Sequence, residues 1–253
     1  MIILINSDYE KILPLLQSVR ISLCLTDPPY GITNNKWDTR PVDFISELLK
    51  SKIQVENIVS CADIKYASFL INQHSKLFSH DLIWQKTIGS GQLNINKQPL
   101  RLHEIVLVFK LLKSTTYNRL KSKGDPYKIK RNIKTADNYN EQKEHICENK
   151  GERDVKSILK IANPRNKGGH PTQKPVELFQ QLSEMYSNKN DILLDTFAGS
   201  GTILDVKERI IIAIEKETKY YELARSSRAH RVTEEKRATR VPRQPVFSRS
   251  PQR

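Results

Sequence analysis

The sequence has few cysteines and no long apolar segment. Its three cysteines, Cys24, Cys61 and Cys147, lie far apart and form no C-x-x-C pair, which argues against a disulfide framework and against a bound metal. No stretch approaches the roughly 18 apolar residues of a membrane helix, and the first residues, MIILINSDYE, lack the basic start of a secretion signal. We therefore expect a cytoplasmic protein with no membrane span and no metal site.

Positive charge is what the sequence has in excess, and it is concentrated in two segments. The 253 residues carry a net charge of +14. Residues 110–167 hold 16 Lys and Arg against 7 Asp and Glu, and residues 225–253 hold 9 against 2, so the remainder is nearly neutral. This clustering is typical of a nucleic-acid binder whose chemical pocket lies elsewhere, although lysine-rich segments can also serve solubility alone.

Predicted strands and helices alternate along most of the chain. Apolar runs predict strands at 2–5, 21–26, 57–61, 81–86, 103–110, 192–197 and 210–216, with a possible return strand within 155–162. Helical periodicity predicts helices at 8–19, 42–51, 66–76, 176–187 and 219–231. This alternation indicates an α/β fold with a mostly parallel, doubly wound sheet, in which ligands bind beyond the carboxyl ends of the strands. Trp84 and His103 lie in predicted strands, where we expect them to pack in the core.

The segment DTFAGSGT, residues 195–202, has features of a cofactor site. It leaves a predicted strand through two glycines spaced G-x-G, and Glu215 ends the next predicted strand. Small residues let a cofactor approach the backbone, and a carboxylate at that point can accept ribose hydroxyls, which indicates a nucleoside cofactor. The third glycine of a dinucleotide fingerprint is absent, so a pyrophosphate is not favoured. A simple tight turn between a strand and a helix is the alternative interpretation.

The segment DPPY, Asp27 to Tyr30, follows the second predicted strand. Its two prolines fix φ and remove two amide donors, so the segment cannot continue a sheet and forms a rigid rim. Together with HPTQKP (170–175) and DTFAGSG (195–201), in this order around a basic region, it resembles the permuted β class of amino-group DNA methyltransferases. The resemblance covers about residues 2–225. It implies a Rossmann-like methyltransferase fold, S-adenosylmethionine as the cofactor and double-stranded DNA as the partner.

The resemblance also implies roles for individual residues. The target base is flipped out of the duplex, the Asp27 carboxylate and the Pro28 carbonyl accept hydrogen bonds from its amine, Pro29 stiffens the rim, and Tyr30 stacks on the base. The implied cofactor-binding residues are Asp8, His170, Thr172, Lys174, Asp195, Phe197, Gly199, Gly201 and Glu215. Without the other motifs, HPTQKP would indicate only the start of a helix, with its Thr and Lys in solvent.

The chain divides into three predicted parts. Residues 1–109 and 165–228 form the catalytic and cofactor-binding domain, residues 110–164 form an inserted target-recognition region, and residues 229–253 form a basic tail that we expect to be disordered. Four residues of the insertion are of types that can read base edges: Asn118, Arg119, Asn138 and Asn140.

One departure from the family pattern lies between GSGT and Glu215. The chain has 12 residues there, about three fewer than the family places, which is nearly one helical turn. Either the helix is trimmed and Glu215 still reaches the ribose, or the cofactor site has decayed.

Adenine is the favoured target base, because DPPY and LINSD resemble the adenine-modifying members of the class. The alternatives are an N4-cytosine methyltransferase, a catalytically decayed DNA-binding homologue, and transfer to RNA or protein amines. A cognate restriction endonuclease or a phage context is the expected setting, and the protein can be a monomer or a homodimer.

Overall fold

The computed structural model describes residues 1–31, 38, 41–131, 134–136, 139–142, 145–164 and 173–240, with side chains described outside 131–145 and 230–240. The strands are β1 (Ile2–Asn6), β2 (Arg20–Thr26), β3 (Gln54–Ala62), β4 (Phe78–Ser90), β5 (Arg101–Lys110), β6 (Lys121–Lys123), β7 (Tyr127–Arg131), β8 (Lys134–Ala136), β9 (Tyr139–Gln142), β10 (His145–Asn149), β11 (Glu152–Asp154), β12 (Ile158–Lys160), β13 (Ile192–Asp195) and β14 (Ile210–Glu215). The helices are α1 (Tyr9–Ile12), α2 (Phe44–Lys50), α3 (Ile64–Gln73), α4 (Val176–Tyr186) and α5 (Thr218–Arg240). Among the described residues, none of these helices combines the length and apolar character needed to span a bilayer.

Eight of the strands form one central sheet in the order β1-β14-β13-β2-β3-β5-β4-β12. Five of its strand pairs are parallel, and the two pairs that involve β5 are antiparallel. The predicted α/β fold with a mostly parallel sheet is therefore confirmed. Because β1, β14, β13 and β2 are neighbours that run in one direction, their carboxyl ends form a continuous edge.

Helices cover both faces of this sheet, as the doubly wound interpretation predicted. Leu23 of β2 belongs to a buried cluster with Phe179 of α4 and Ala224 of α5. The next residue, Cys24, points to the opposite face and belongs to a second buried cluster with Phe44 of α2. Each large apolar side chain buried in this way stabilises the fold by about 1.5–3 kcal/mol.

The first predicted helix is shorter than the 8–19 that its periodicity indicates. It ends at Ile12, and Leu13–Leu16 continue as a 3₁₀ turn with Pro14 near its start. Proline has no amide hydrogen and its ring clashes with the preceding turn, so the α-helix cannot continue through it. Leu13 is buried, whereas Leu15 is 73% exposed.

The insertion forms an antiparallel arm rather than an irregular segment. β6 pairs with β11, β7 with β10 and β8 with β9, so the pairs are nested from the base of the arm towards its tip. Charged residues face one another across the arm, as in the contact between Lys121 and Glu152, and such pairs support a strand pair that buries little apolar surface. β12 then joins the central sheet beside β4, within the predicted return strand at 155–162.

The last helix continues to Arg240, past the predicted end at 231. The expected disorder of the tail was therefore wrong for residues 229–240, and residues 241–253 lie outside the described residues. The sequence explains the extension. Residues 219–240 contain Ala, Glu, Lys and Arg, which favour helices, and no Gly or Pro lies between residue 219 and Pro242.

Trp84 and His103 have different environments in the sheet. Trp84 is buried as predicted, and its Nε1 donates a hydrogen bond to the Ile161 carbonyl at 2.9 Å. His103 is exposed, so the expectation that it packs in the core was wrong. The pairing of β3 with β5 stops at Ile105, and the first residues of β5 therefore extend past their neighbour.

Candidate active site

The carboxyl ends of the parallel strands open into a cavity of about 1050 Å³. Asp8 and Asp27 follow β1 and β2, and Asp195 and Glu215 end β13 and β14. We call the part around Gly199 and Glu215 the glycine-loop end, and the part around Asp27 and Tyr30 the DPPY end. The predicted site residues that line the cavity are Asp8, Asp27, Pro28, Pro29, Tyr30, Lys174, Asp195, Phe197, Gly199 and Glu215.

Backbone amides hold the Glu215 carboxylate at the glycine-loop end. The Gly199 amide donates to Oε2 at 2.7 Å, and the Glu217 amide donates to Oε1 at 2.7 Å. Burial raises the pKa of Glu215, against the effect of these hydrogen bonds. Each carboxylate oxygen keeps a second lone pair, so Glu215 can accept further donors from the cavity.

The short segment before Glu215 does not pull this residue away from the cavity. Thr202–Asp205 form one 3₁₀ turn, and the chain then returns directly as β14. The helix after the glycine loop is therefore trimmed to a single turn. Glu215 still lies at the end of β14, in contact with the glycine loop.

Asp195 lies deeper than Glu215 and is almost completely buried. Thr26 Oγ1 donates to its Oδ1 at 2.6 Å, and the Phe197 amide donates to the same oxygen at 3.0 Å. Burial raises the pKa of Asp195 to about 7, although these hydrogen bonds act to lower it. A positively charged group in the cavity would therefore favour the ionised form of this carboxyl.

Gly201 supports the loop but does not line the cavity. Its φ is +88°, and a Cβ atom at this position would lie 2.8 Å from Leu204 Cδ1 and 2.9 Å from Ala224 Cβ. Glycine is therefore needed here for the close approach of the loop to α5, whereas a Cβ atom at Gly199, which has a φ of +54°, would meet only the Phe197 carbonyl oxygen at 4.0 Å.

Aromatic rings form one wall beside Asp8. The rings of Tyr9 and Phe197 have centroids 4.9 Å apart, and Phe44 meets Phe197 edge-on at 6.0 Å. Asp8 caps α1 through its hydrogen bond with the Glu10 amide and also forms an ion pair of 2.7 Å with Lys216. This wall suits a flat, partly polar ring, since aromatic faces provide stacking area and the carboxylate provides an acceptor.

The DPPY end is organised around the Asp27 carboxylate. The Tyr30 hydroxyl donates to Oδ1 of Asp27, and burial together with the Asp27 charge raises the pKa of Tyr30 well above its usual value. The Tyr30 ring stacks on Tyr66 at 5.2 Å, and the Tyr66 hydroxyl donates to the Val42 carbonyl at 2.6 Å. The rim therefore has a rigid aromatic support behind it.

Lys174 contacts Asp27, although the family resemblance placed it among the cofactor-binding residues. Its Nζ lies 2.6 Å from Asp27 Oδ2 and 3.3 Å from Glu104 Oε2, and Lys86 contacts the other oxygen of Glu104 at 2.5 Å. Glu104 and Lys86 were not predicted from the sequence as site residues. A signal was present, because each is a charged residue within or directly after an apolar strand pattern, HEIVLVFK and DLIWQK.

Several predicted residues cannot be placed in the site. His170, Thr172 and Asn138 lie outside the described residues, and Asn140 is described without its side chain.

The side-chain amide of Asn118 donates hydrogen bonds to the carbonyls of Glu184 and Ser187 at the end of α4, at 3.0 and 2.9 Å.

Arg119 is also engaged within the protein. It forms a two-pronged ion pair with Asp154 at the base of the arm, at 2.5 and 2.6 Å. Asn118 therefore holds the arm to α4, Arg119 closes the base of the arm, and the expectation that they read base edges is not supported by these contacts. Among the described residues, no group of His, Cys, Asp and Glu has the arrangement of a metal site.

The chain matches the family model of a DNA methylase, the N6/N4 methyltransferase family, over residues 21–226. It is 27% identical over 245 residues to the Type II methyltransferase M.HpaI of Haemophilus parainfluenzae. This alignment covers 88% of this chain and 72% of that protein.

The fold is also found in solved structures of other proteins. The crystal structure of the M1.HpyAVI–SAM complex is 20% identical, with a TM-score of 0.61 over 90% of this chain and all of that one. The cytosine-N4-specific PvuII DNA methyltransferase is 16% identical, with a TM-score of 0.61 over 88% of this chain and 85% of that one. The fold described above is therefore shared by proteins that differ widely in sequence.

Proposed function

This chain belongs to the amino-group DNA methylase family whose model it matches, and we propose that it transfers a methyl group from S-adenosylmethionine to the N6 amine of adenine in duplex DNA. The observation that carries this proposal is the shared cavity, which is lined by Asp27 at one end and by Glu215 at the other. A methyl donor and an amine acceptor must meet in one water-poor space for the transfer to proceed.

The residues of the glycine-loop end suit the cofactor. S-adenosylmethionine supplies an electrophilic methyl group on a sulfonium. We propose that Glu215 accepts the ribose hydroxyls, that the wall of Tyr9 and Phe197 packs against adenine, and that Asp8 lies at the polar edge of that ring. Asp195 provides negative charge for the cationic methionine portion. The fit rests on the free lone pairs of Glu215 and on the raised pKa of Asp195, which a cation would offset.

The DPPY end suits the target amine. We propose that the base is flipped into the cavity and that its amine donates hydrogen bonds to Asp27 and to the Pro28 carbonyl. Positive charge develops on the amine nitrogen as it takes the methyl group, and the Asp27 carboxylate stabilises that charge. Tyr30 already stacks on Tyr66, so it presents a supported ring towards the base.

Adenine is the proposed base, and N4-cytosine is the second candidate. The motif DPPY favours adenine by resemblance, while the fold does not discriminate, since the PvuII enzyme with the same fold is described as cytosine-N4-specific. Both bases offer an exocyclic amine to the same acceptors.

The proposal is tested with labelled S-adenosylmethionine, unmethylated duplex DNA of mixed sequence, and separation of the nucleosides after digestion. Label in N6-methyladenine is the expected result. Label in N4-methylcytosine would keep the mechanism and overturn the base. A folded protein that binds DNA but transfers no label would favour a decayed homologue, and preferential labelling of RNA or protein in competition would overturn the substrate class.

Recognition of DNA is proposed to involve the inserted region, residues 110–164, and the basic end of the chain. Residues 110–167 and 225–253 carry 16 and 9 basic residues, and phosphate contacts of this kind weaken steeply as salt rises. The relatives' designation as Type II enzymes is consistent with a cognate restriction endonuclease and with action in the cytoplasm. We propose that removal of residues 229–253 lowers the salt dependence of DNA binding and leaves the target sequence unchanged; a changed target sequence would contradict this role of the tail.

A further inference from the structure

The charges around Asp27 form a chain that extends beyond the DPPY motif. Lys174 lies between two carboxylates, at 2.6 Å from Asp27 Oδ2 and 3.3 Å from Glu104 Oε2. Lys86 contacts Oε1 of Glu104 at 2.5 Å. The side chains of Lys174 and Lys86 are 6% and 9% exposed, so water and salt screen these charges only weakly.

Glu104 offers an acceptor that Lys174 does not yet use. Its Oε2 atom is buried and accepts no hydrogen bond, and the Lys174 ammonium lies 3.3 Å away from it. Leaving a buried carboxylate oxygen without a donor costs free energy. A rotation of the Lys174 side chain towards Glu104 would take the ammonium away from Asp27 and bring it within the roughly 2.7–2.9 Å of a charge-assisted hydrogen bond to this oxygen.

Both partners of this contact are charged. Burial acts to lower the pKa of Lys174, but the carboxylates of Asp27 and Glu104 outweigh it and raise the pKa above its usual value. Burial acts to raise the pKa of Glu104, but Lys174 and Lys86 hold it below its usual value. The Lys174 backbone is fixed separately, since Thr202 donates to its carbonyl at 3.2 Å, so the side chain can move without the chain.

We propose that Lys174 is a movable counter-ion, which neutralises Asp27 while no target base is bound and moves to Glu104 when the base enters. This role rests on the proposed function, in which the amine binds Asp27 and becomes positively charged. An ammonium on the same carboxylate would repel that charge and weaken its stabilisation. Transfer of Lys174 to Oε2 of Glu104 frees Asp27 for the amine and gives the buried oxygen its donor. Lys174 and Glu104 are thus positioning residues.

The kinetic test compares single-turnover methyl transfer at saturating S-adenosylmethionine in three variants. Glu104→Gln weakens the alternative site for Lys174, so we expect transfer to slow by about tenfold or more, with cofactor affinity unchanged. Adding Lys174→Met removes the ammonium that stays on Asp27, so the double variant should be faster than Glu104→Gln alone. Glu208→Gln is the matched control. Glu208 also forms an ion pair with a lysine, Lys189, but it precedes β14 and so lies at the amino end of that strand, away from the cavity.

A double variant as slow as Glu104→Gln, or slower, would overturn the proposal, because removal of the ammonium would then not relieve the loss caused by Glu104→Gln. A Glu104→Gln variant as fast as the wild type would overturn it too.

A second test does not depend on activity. In a crystal structure of the Asp27→Asn variant, which lacks the negative charge at position 27, we expect Lys174 Nζ within about 2.9 Å of Glu104 Oε2. An ammonium that stays at position 27 would overturn the movable role. If the wild type transfers no methyl group to any DNA, the proposed function fails, while this structure still decides whether Lys174 moves between the two carboxylates.

Discussion

The two ends of the cavity hold their carboxylates in different ways. At the glycine-loop end, Glu215 is fixed by the amides of Gly199 and Glu217, which are close to it in sequence. At the DPPY end, Asp27 is held by Tyr30 and by Lys174, which is 147 residues away in the chain. Backbone amides fix one geometry, whereas an ion pair between side chains can exchange partners. We infer that the first end is built to hold a cofactor and the second to respond to an incoming base.

The largest expected effect separates the chemical role of the DPPY end from binding. Asp27→Asn keeps the shape of the side chain but removes its charge, so methyl transfer should fall by about 10²–10³-fold or more. Affinity for S-adenosylmethionine, measured by calorimetry, should stay within about threefold of the wild type. Loss of cofactor affinity equal to the loss of rate would show that the two ends are not distinct.

The converse variant is Glu215→Gln at the glycine-loop end. One carboxylate oxygen becomes an NH₂ group that faces a backbone N–H donor, and the charge is lost, so we expect cofactor affinity to weaken by about tenfold or more. The single-turnover rate at saturating cofactor should change little. A variant with normal affinity and a slow rate would reverse the assignment of the two ends.

Two glycines of one loop provide a matched comparison of stability. Gly201→Ala puts a side chain on a residue with a φ of +88°, which alanine rarely adopts, and its methyl group would lie less than 3 Å from Leu204 and Ala224. The free energy of unfolding should therefore fall by about 2–4 kcal/mol. Gly199→Ala places a methyl group on a residue whose φ is +54°, with only the Phe197 carbonyl oxygen nearby at 4.0 Å, and should cost about 1–2 kcal/mol. Urea unfolding measures both, and equal losses would argue against the close packing of the loop on α5.

A smaller effect concerns pH. The pKa of Asp195, about 7 in the folded protein, lies above its usual value, so the stability that the bound proton gives is present at low pH and is lost as the pH rises through about 7. Asn at this position keeps an oxygen acceptor and does not titrate. Asp195→Asn should therefore gain stability relative to the wild type between pH 5 and pH 8, by about 1–3 kcal/mol, in unfolding without cofactor. A constant difference across this range would contradict the raised pKa.

The sequence predicted the glycine-loop end better than the DPPY end. The strand, turn and following strand that carry Gly199 and Glu215 are continuous in sequence, so their proximity follows from the parallel sheet. The approach of Glu104 to Lys174 depends on the antiparallel placement of β5 and on the chain that leads into α4, and neither is encoded by local spacing.

The errors in the outer elements have similar physical causes. His103 is exposed because β5 extends past β3, and α5 continues because its residues favour a helix wherever no proline intervenes. Asn118 and Arg119 looked available for DNA, but they bind α4 and Asp154 within the fold. Composition could locate the basic arm, and it could not show which polar groups the fold already uses.

The most direct test of two distinct ends in one cavity is a crystal structure of the protein with S-adenosylmethionine. We predict that the ribose hydroxyls bind Glu215, that the adenine lies beside Phe197, and that the sulfonium methyl group points towards Asp27. A cofactor whose ribose lies away from Glu215, or whose methyl group points away from Asp27, would contradict it.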